Sequence, residues 1–122
     1  MAPTFGNGKI CYIEIPAVDV RKSGEFYRQV FGWNVRDRGD GSVGFDDGVG
    51  EVSGTWVVGR KAFDGTGLTL HLMVDDIEAT MKLIEENGGK IEQGAGAHQP
   101  EITAIFRDVA GNVFGLYQHG RK

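Results

Sequence analysis

"ICYIEIPAVDVRKSGEFYRQVFGW", residues 10–33, carries two periodicities back to back. Cys11, Ile13 and Ile15 are apolar while Tyr12 and Glu14 between them are polar, the alternation of a strand with two unlike faces. From Val20 the spacing becomes helical. Val20, Tyr27, Val30 and Phe31 fall on roughly one face, Asp19 stands where a helix is capped at its start, and Gly32 where one is capped at its end. The stretch predicts a strand over 9–15 and a helix over 20–31. A strand feeding straight into a helix packs its apolar side beneath that helix, so Tyr12 and Glu14 should face the other way.

The pattern returns later in the chain. "LTLHLMV" (68–74) reads as a strand, and "DDIEATMKLIEEN" (75–87) as a helix with Asp76 as its cap and Ile77, Met81 and Ile84 on one face. The interval from Asp19 to Asp76 equals that from Gly32 to Gly89, which argues for an internal duplication. Three short strands follow each helix: "WNVRDR", "SVGFDD" and "GTWVVGR" in the first half, "KIEQ", "EITAIFRD" and "NVFGLYQ" in the second, with glycine-rich turns between them. Each half is then a βαβββ module, the first over about 8–59 and the second over about 66–119. At the shared interval Tyr12 corresponds to Thr69 and Glu14 to His71. Alternation sends Tyr12, Glu14, Thr69 and His71 away from the helices. Met73, Val113 and Tyr117 share that face, which suggests a lined hollow rather than a plain solvated surface.

Composition bounds the rest. A chain of 122 residues, 40% hydrophobic and 25% charged, supplies one core, so a single domain is expected. A net charge of −4, with Lys and Arg spread along the chain, gives no phosphate-neutralising stripe and argues against a nucleic-acid partner. Cys11 is the only cysteine, which excludes an internal disulfide and a cysteine-rich zinc site. The N-terminal "MAPTFGNGK" lacks the apolar run of a signal peptide, and no stretch approaches the roughly 20 apolar residues of a membrane helix. A cytoplasmic protein with no membrane partner is expected.

"IEIPAVDVRKSGEFYRQVFGW", "VDDIEATMKLIEENGGKI" and "FRDVAGNVFGLYQ" resemble, in order and over almost the whole chain, the vicinal oxygen chelate superfamily of glyoxalase I, bleomycin-resistance proteins and extradiol dioxygenases. The resemblance implies an α+β fold in which two βαβββ modules form an open, eight-stranded, cup-like sheet, with the helices outside and a small-molecule ligand within. Many relatives are dimers, so it also implies a homodimer. Metal-dependent members hold a divalent ion with His, Glu or Gln on the first and last strands of each module. The implied first-strand positions, seven residues before each helix-opening aspartate, are Tyr12 and Thr69. The implied last-strand position, three residues beyond the turn asparagine Asn112, is Gly115, and the fourth strand offers Trp56. None is an ordinary divalent-metal ligand, so no metal cofactor is expected at the usual site.

Glu14 and His71 leave three readings open. They satisfy each other across a hollow; or they form a general acid/base pair; or, with Glu51 at the lip, they hold a displaced divalent metal. The corresponding functions are a metal-free binding protein, lined by Tyr12, Trp56, Thr69, Met73, Gly115 and Tyr117; a metal-independent isomerase, cyclase or lyase using Glu14 and His71; and a metal-dependent lyase or dioxygenase. The first is preferred, and catalysis is left open. His98 and Gln99 fall in a glycine-rich loop and read as solvated or as part of a lid, and His119 as part of a frayed tail. "GDGSVGFDDGVGE" lacks calcium-loop spacing and reads as turns. Phe26, Tyr27, Phe31 and Trp33 read as core.

Overall fold

The computed structural model describes residues 3–96 and 100–118, so His98, Gln99 and His119 lie outside the described residues. The chain divides into two compact units, Met1–Lys61 and Ala62–Lys122, and each is a mixed four-stranded sheet with one helix.

In the first unit, β1 (Tyr12–Ala17) leads into α1 (Val20–Phe31), followed by β2 (Asn34–Asp37), β3 (Val43–Asp46) and β4 (Ser53–Val58). The sheet order is β1-β4-β3-β2, with β1 parallel to β4 and the other pairs antiparallel. The Asp19 carboxylate accepts from the backbone N–H groups of Arg21 and Lys22 at 3.0 and 3.3 Å, filling two of the donors that a helix start leaves open. Gly32 ends α1 in the left-handed region at φ 71°, donating to the Arg28 carbonyl at 3.0 Å. Asp19→Ala is therefore expected to lower stability by about 1 kcal/mol, read as a shifted urea midpoint with an unchanged slope; a midpoint that does not move would show that the Asp19 cap does not stabilise α1.

Ile15, Ala17, Phe26, Tyr27, Val30, Trp33, Val43 and Phe45 form the core between α1 and its sheet. The Tyr27 and Trp33 rings stack at 4.6 Å, and those of Trp33 and Phe45 at 4.5 Å. Phe26, Tyr27 and Trp33 are thus core, as their spacing predicts, while Phe31 is half-buried and stacks on Tyr27 at 5.7 Å. The strand begins and ends later than the predicted 9–15, and it includes Pro16, which is tolerated because β1 is the edge of its sheet within this unit.

In the second unit, β5 (His71–Val74) leads into α2 (Ile77–Glu86), then β6 (Lys90–Gln93), β7 (Thr103–Arg107) and β8 (Val113–Gln118), in sheet order β5-β8-β7-β6. Asp76 caps α2 by accepting from Ala79 at 3.1 Å, and the buried Gln118 side chain accepts from the Ile77 N–H at 3.0 Å. The two helices end differently. Gly88, at φ 94°, is the left-handed residue here, and Gly89 donates back to the Ile84 carbonyl at 2.8 Å. Gly32 and Gly89 therefore stand at one interval but do different work.

β5 is also shorter than the predicted strand. Val113 donates to Phe63 and Gly115 to Leu70, so Thr69 lies ahead of the strand rather than on it. Ile77, Ile84, Ala104, Phe106, Phe114 and Leu116 make this unit's core.

Candidate functional site

The face of each sheet turned away from its helix is where alternation sends the unabsorbed polar residues. In the first unit, register sets Gly44, Thr55 and Glu14 side by side across β3, β4 and β1. Tyr12 lies two residues from Glu14 on the same side of β1 and is 50% exposed. Glu14 does not stand free: Arg60 Nη2 donates to its Oε1 at 2.8 Å. Arg36 is likewise paired with Asp46 at 3.1 Å. The Asp46 carboxyl is held below its usual range, first by the 2.7 Å hydrogen bond from the Ser53 hydroxyl, with Arg36 and Asn34 also lowering it.

Arg38 completes this face. Its Nη1 donates to Thr55 Oγ1 at 3.1 Å, while the Thr55 hydroxyl donates to the Val43 carbonyl at 2.8 Å. The guanidinium lies so close over Gly44 that a Cβ there would collide with it. Residue periodicity gives no hint of Arg38 or Arg60. The available signal is Gly44 itself, because a glycine inside a strand marks a close approach by something else.

Two expected site residues are placed elsewhere. Trp56 pairs in register with Ile15, which puts it on the helix side, 3% exposed, with its ring 4.7 Å from Phe45 and 5.8 Å from Tyr27. It belongs to the aromatic core. Glu51 accepts from Lys9 Nζ at 2.8 Å and from the Thr4 backbone and hydroxyl at 3.1 and 3.0 Å. These bonds, led by that from Lys9, hold its carboxyl below the usual range. The carboxylate ties down the N-terminal segment instead of standing open at a lip.

In the second unit, His71 faces Gly115 in register and Met73 faces Tyr117, all on the helix-free side. The His71 imidazole lies over Gly115, where a Cβ would collide with the ring. Met73 is 67% exposed and Tyr117 half-buried. The same face carries Thr103, Ile105 and Val113 from the neighbouring strands. Gly115 is a seat for an aromatic ring. Glu14 and His71 belong to different units, and within its own unit Glu14 has Arg60 as partner.

A divalent metal needs converging imidazole, carboxylate or thiolate donors. Tyr12, Thr69 and Gly115 do not supply them, and the carboxylates of the displaced set, Glu14 and Glu51, are already bonded to cations. Among the described residues no three His, Cys, Asp or Glu side chains gather in such a group. This donor set does not fit an ordinary divalent-metal site. No helix among the described residues is long and apolar enough to cross a membrane.

A family model described as Glyoxalase/Bleomycin resistance protein/Dioxygenase superfamily matches residues 9–116. A glyoxylase-like domain-containing protein of Didymella fabae is 29% identical over 120 residues, covering 90% of this chain and 93% of its own length. Among solved structures, TnmS3, an antibiotic binding protein from Streptomyces sp. CB03234, is similar with a TM-score of 0.70 at 21% identity, over 96% of this chain and 100% of that one. The fosfomycin resistance protein FosX from Mesorhizobium loti is similar with a TM-score of 0.72 at 13% identity, over 95% of each chain. At these identities the two structures speak to the fold alone.

Proposed function

The chain belongs to the Glyoxalase/Bleomycin resistance protein/Dioxygenase superfamily, and from that premise we propose that it binds a small organic molecule on the helix-free faces of its sheets, without a divalent metal and without transforming the ligand. The observation that carries this reading is the loss of metal donors together with the survival of a lining. Gly115 and Thr69 stand where the family resemblance would place ligands, while Tyr12, Met73 and Tyr117 still offer aromatic and apolar surface beside a few polar groups. The pairing of Glu14 with Arg60 also supports it over acid/base catalysis, because a base must be open to the proton it takes. The similar fold of an antibiotic binding protein is consistent with sequestration. On this reading the two modules act as one domain of a cytoplasmic homodimer, with neither nucleic acid nor membrane as partner.

Protein purified without chelator is expected to carry no stoichiometric metal. Screening aromatic and polyketide-like compounds by thermal shift is expected to yield one that raises the melting temperature. At a hundredfold excess over its Kd such a ligand adds about 2.7 kcal/mol, and it should be recovered chemically unchanged. Stoichiometric zinc, nickel, iron or manganese that is lost on Glu14→Ala or His71→Ala would overturn the metal-free reading. Turnover abolished by His71→Ala would overturn sequestration in favour of an enzyme.

A further inference from the structure

We infer that the ligand bound by this protein carries an acidic oxygen group, a carboxylate or its sulfonate or phosphonate equivalent, and that Arg38 is the residue that recognises it. The inference rests on the binding function proposed above and names the ligand's chemical class. Three guanidinium groups lie on the helix-free face of the first unit, and two of them are neutralised where they stand, Arg36 by Asp46 and Arg60 by Glu14. Arg38 has no carboxylate within ion-pair distance among the described residues. Asp40 feels its charge at longer range, but Asp40 Oδ1 is engaged by the Ser42 amide and hydroxyl at 2.9 and 2.6 Å.

Arg38 is held in place by neutral groups. Thr55 Oγ1 accepts from Nη1, and Gly44 leaves the space in which the guanidinium lies. An arginine aimed by an uncharged acceptor keeps its charge and most of its five N–H donors for something else. A planar fork of that kind matches an oxyanion with two parallel hydrogen bonds. Glu14 lies one strand from Thr55, about 4.8 Å in a sheet, and as an unpaired carboxylate it would repel an anion. Its bond to Arg60 removes that obstacle. Tyr12, next along β1 on the same face and half-exposed, supplies an aromatic surface for the body of the acid.

The test compares 1-naphthoate with its uncharged isostere 1-naphthamide, titrated into the full chain at low salt and followed by amide NMR shifts. Naphthoate is expected to bind roughly tenfold more tightly, with the largest shifts at Gly44 and Thr55, and the preference should shrink as salt is added. Arg38→Gln should abolish the preference. Thr55→Val, which keeps the charge but removes the group that aims it, should reduce it several-fold, and Arg36→Gln should leave it intact. Equal binding of the two compounds, or a preference that survives Arg38→Gln, would overturn the inference while leaving the binding function standing. Failure of both compounds to shift any amide of the helix-free faces at millimolar concentration would count against both.

Discussion

Asn112→Ala is expected to cost about 3 kcal/mol of folding stability, although the residue is a buried turn amide that offers no side chain to the proposed ligand. Asn112 is fully buried, and both ends of its side chain are in use. Its Nδ2 donates to Asp108 Oδ2 at 2.9 Å, and its Oδ1 accepts from the Phe63 N–H at 2.8 Å. Asp108 in turn accepts from the backbone of Ala110 and of Asn112, both at 2.9 Å, closing the turn between β7 and β8. The Val113 N–H donates to the Phe63 carbonyl at 2.8 Å, so both backbone polar groups of Phe63 are bonded here and fasten the chain segment that enters this unit. Alanine leaves the Phe63 amide without that acceptor and deprives a buried carboxylate of a donor, and each loss is costly in a low-dielectric interior. Asn112→Asp separates the two bonds. It retains an acceptor for Phe63 but faces Asp108 with a second carboxylate, so it should be at least as destabilising at neutral pH. Lowering the pH, which lets one of the two carboxyls take up a proton, should recover part of the loss. Urea unfolding of the three proteins at pH 7 and pH 5 reads all of this. A change below about 1 kcal/mol for Asn112→Ala would show that the network is not what holds the turn.

The "DVAGN" turn is an instance of what sequence could and could not reveal. Its glycine and asparagine predict a turn, and the family resemblance draws on them, but nothing in the spacing connects Asn112 to Phe63, which lies far away along the chain. Local signals were sufficient for the helices. The α1 bounds match the periodicity, because capping by Asp19 and Gly32 is decided within a few residues. Strand faces were legible where a single alternation decides them, as for Tyr12, Glu14 and His71. Trp56 defeated the same reasoning because strand alternation alone does not say which set faces the helix; parallel pairing with Ile15 does. The partners of Glu14 and Glu51 were hidden for a related reason. Arg60 and Lys9 reach them from segments flanking β4 and β1, and ion pairs between surface side chains leave no periodic trace. The charge pattern of the helix-free faces was therefore less legible than the alternation that defines them, and Arg38, the residue proposed to recognise an acid, emerged only with its packing over Gly44.

Gly54→Ala should be the most damaging single methyl in the first unit, with a loss of about 3 kcal/mol or more and a melting temperature lower by roughly 10 °C. Three strand glycines lie beneath three different obstacles, and the atoms above each decide the outcome. Over Gly54, a Cβ would meet the Ile13 carbonyl of β1 and the Phe45 ring. The first belongs to the backbone of a hydrogen-bonded neighbour, and the second is stacked on Trp33 and packed at a tilt against Trp56. Neither can retreat without opening the β1–β4 pairing or the aromatic core. Over Gly44, the obstacle is chiefly the end of the Arg38 side chain, with the Gly54 carbonyl at 3.1 Å, so alanine there should evict the guanidinium at a smaller cost in stability. Over Gly115, it is the exposed His71 ring alone, which can rotate away. Gly115→Ala should thus cost under about 1 kcal/mol. Thermal and urea unfolding of the three variants should rank them Gly54, Gly44, Gly115 in decreasing loss. If Gly54→Ala proved no worse than Gly115→Ala, the close approach of β1 to β4 would not be a determinant of this fold. The ranking also separates two uses of one residue type: Gly54 lets β1 approach β4 closely, whereas Gly44 and Gly115 give up a side chain so that a cation and an imidazole can lie over the helix-free faces.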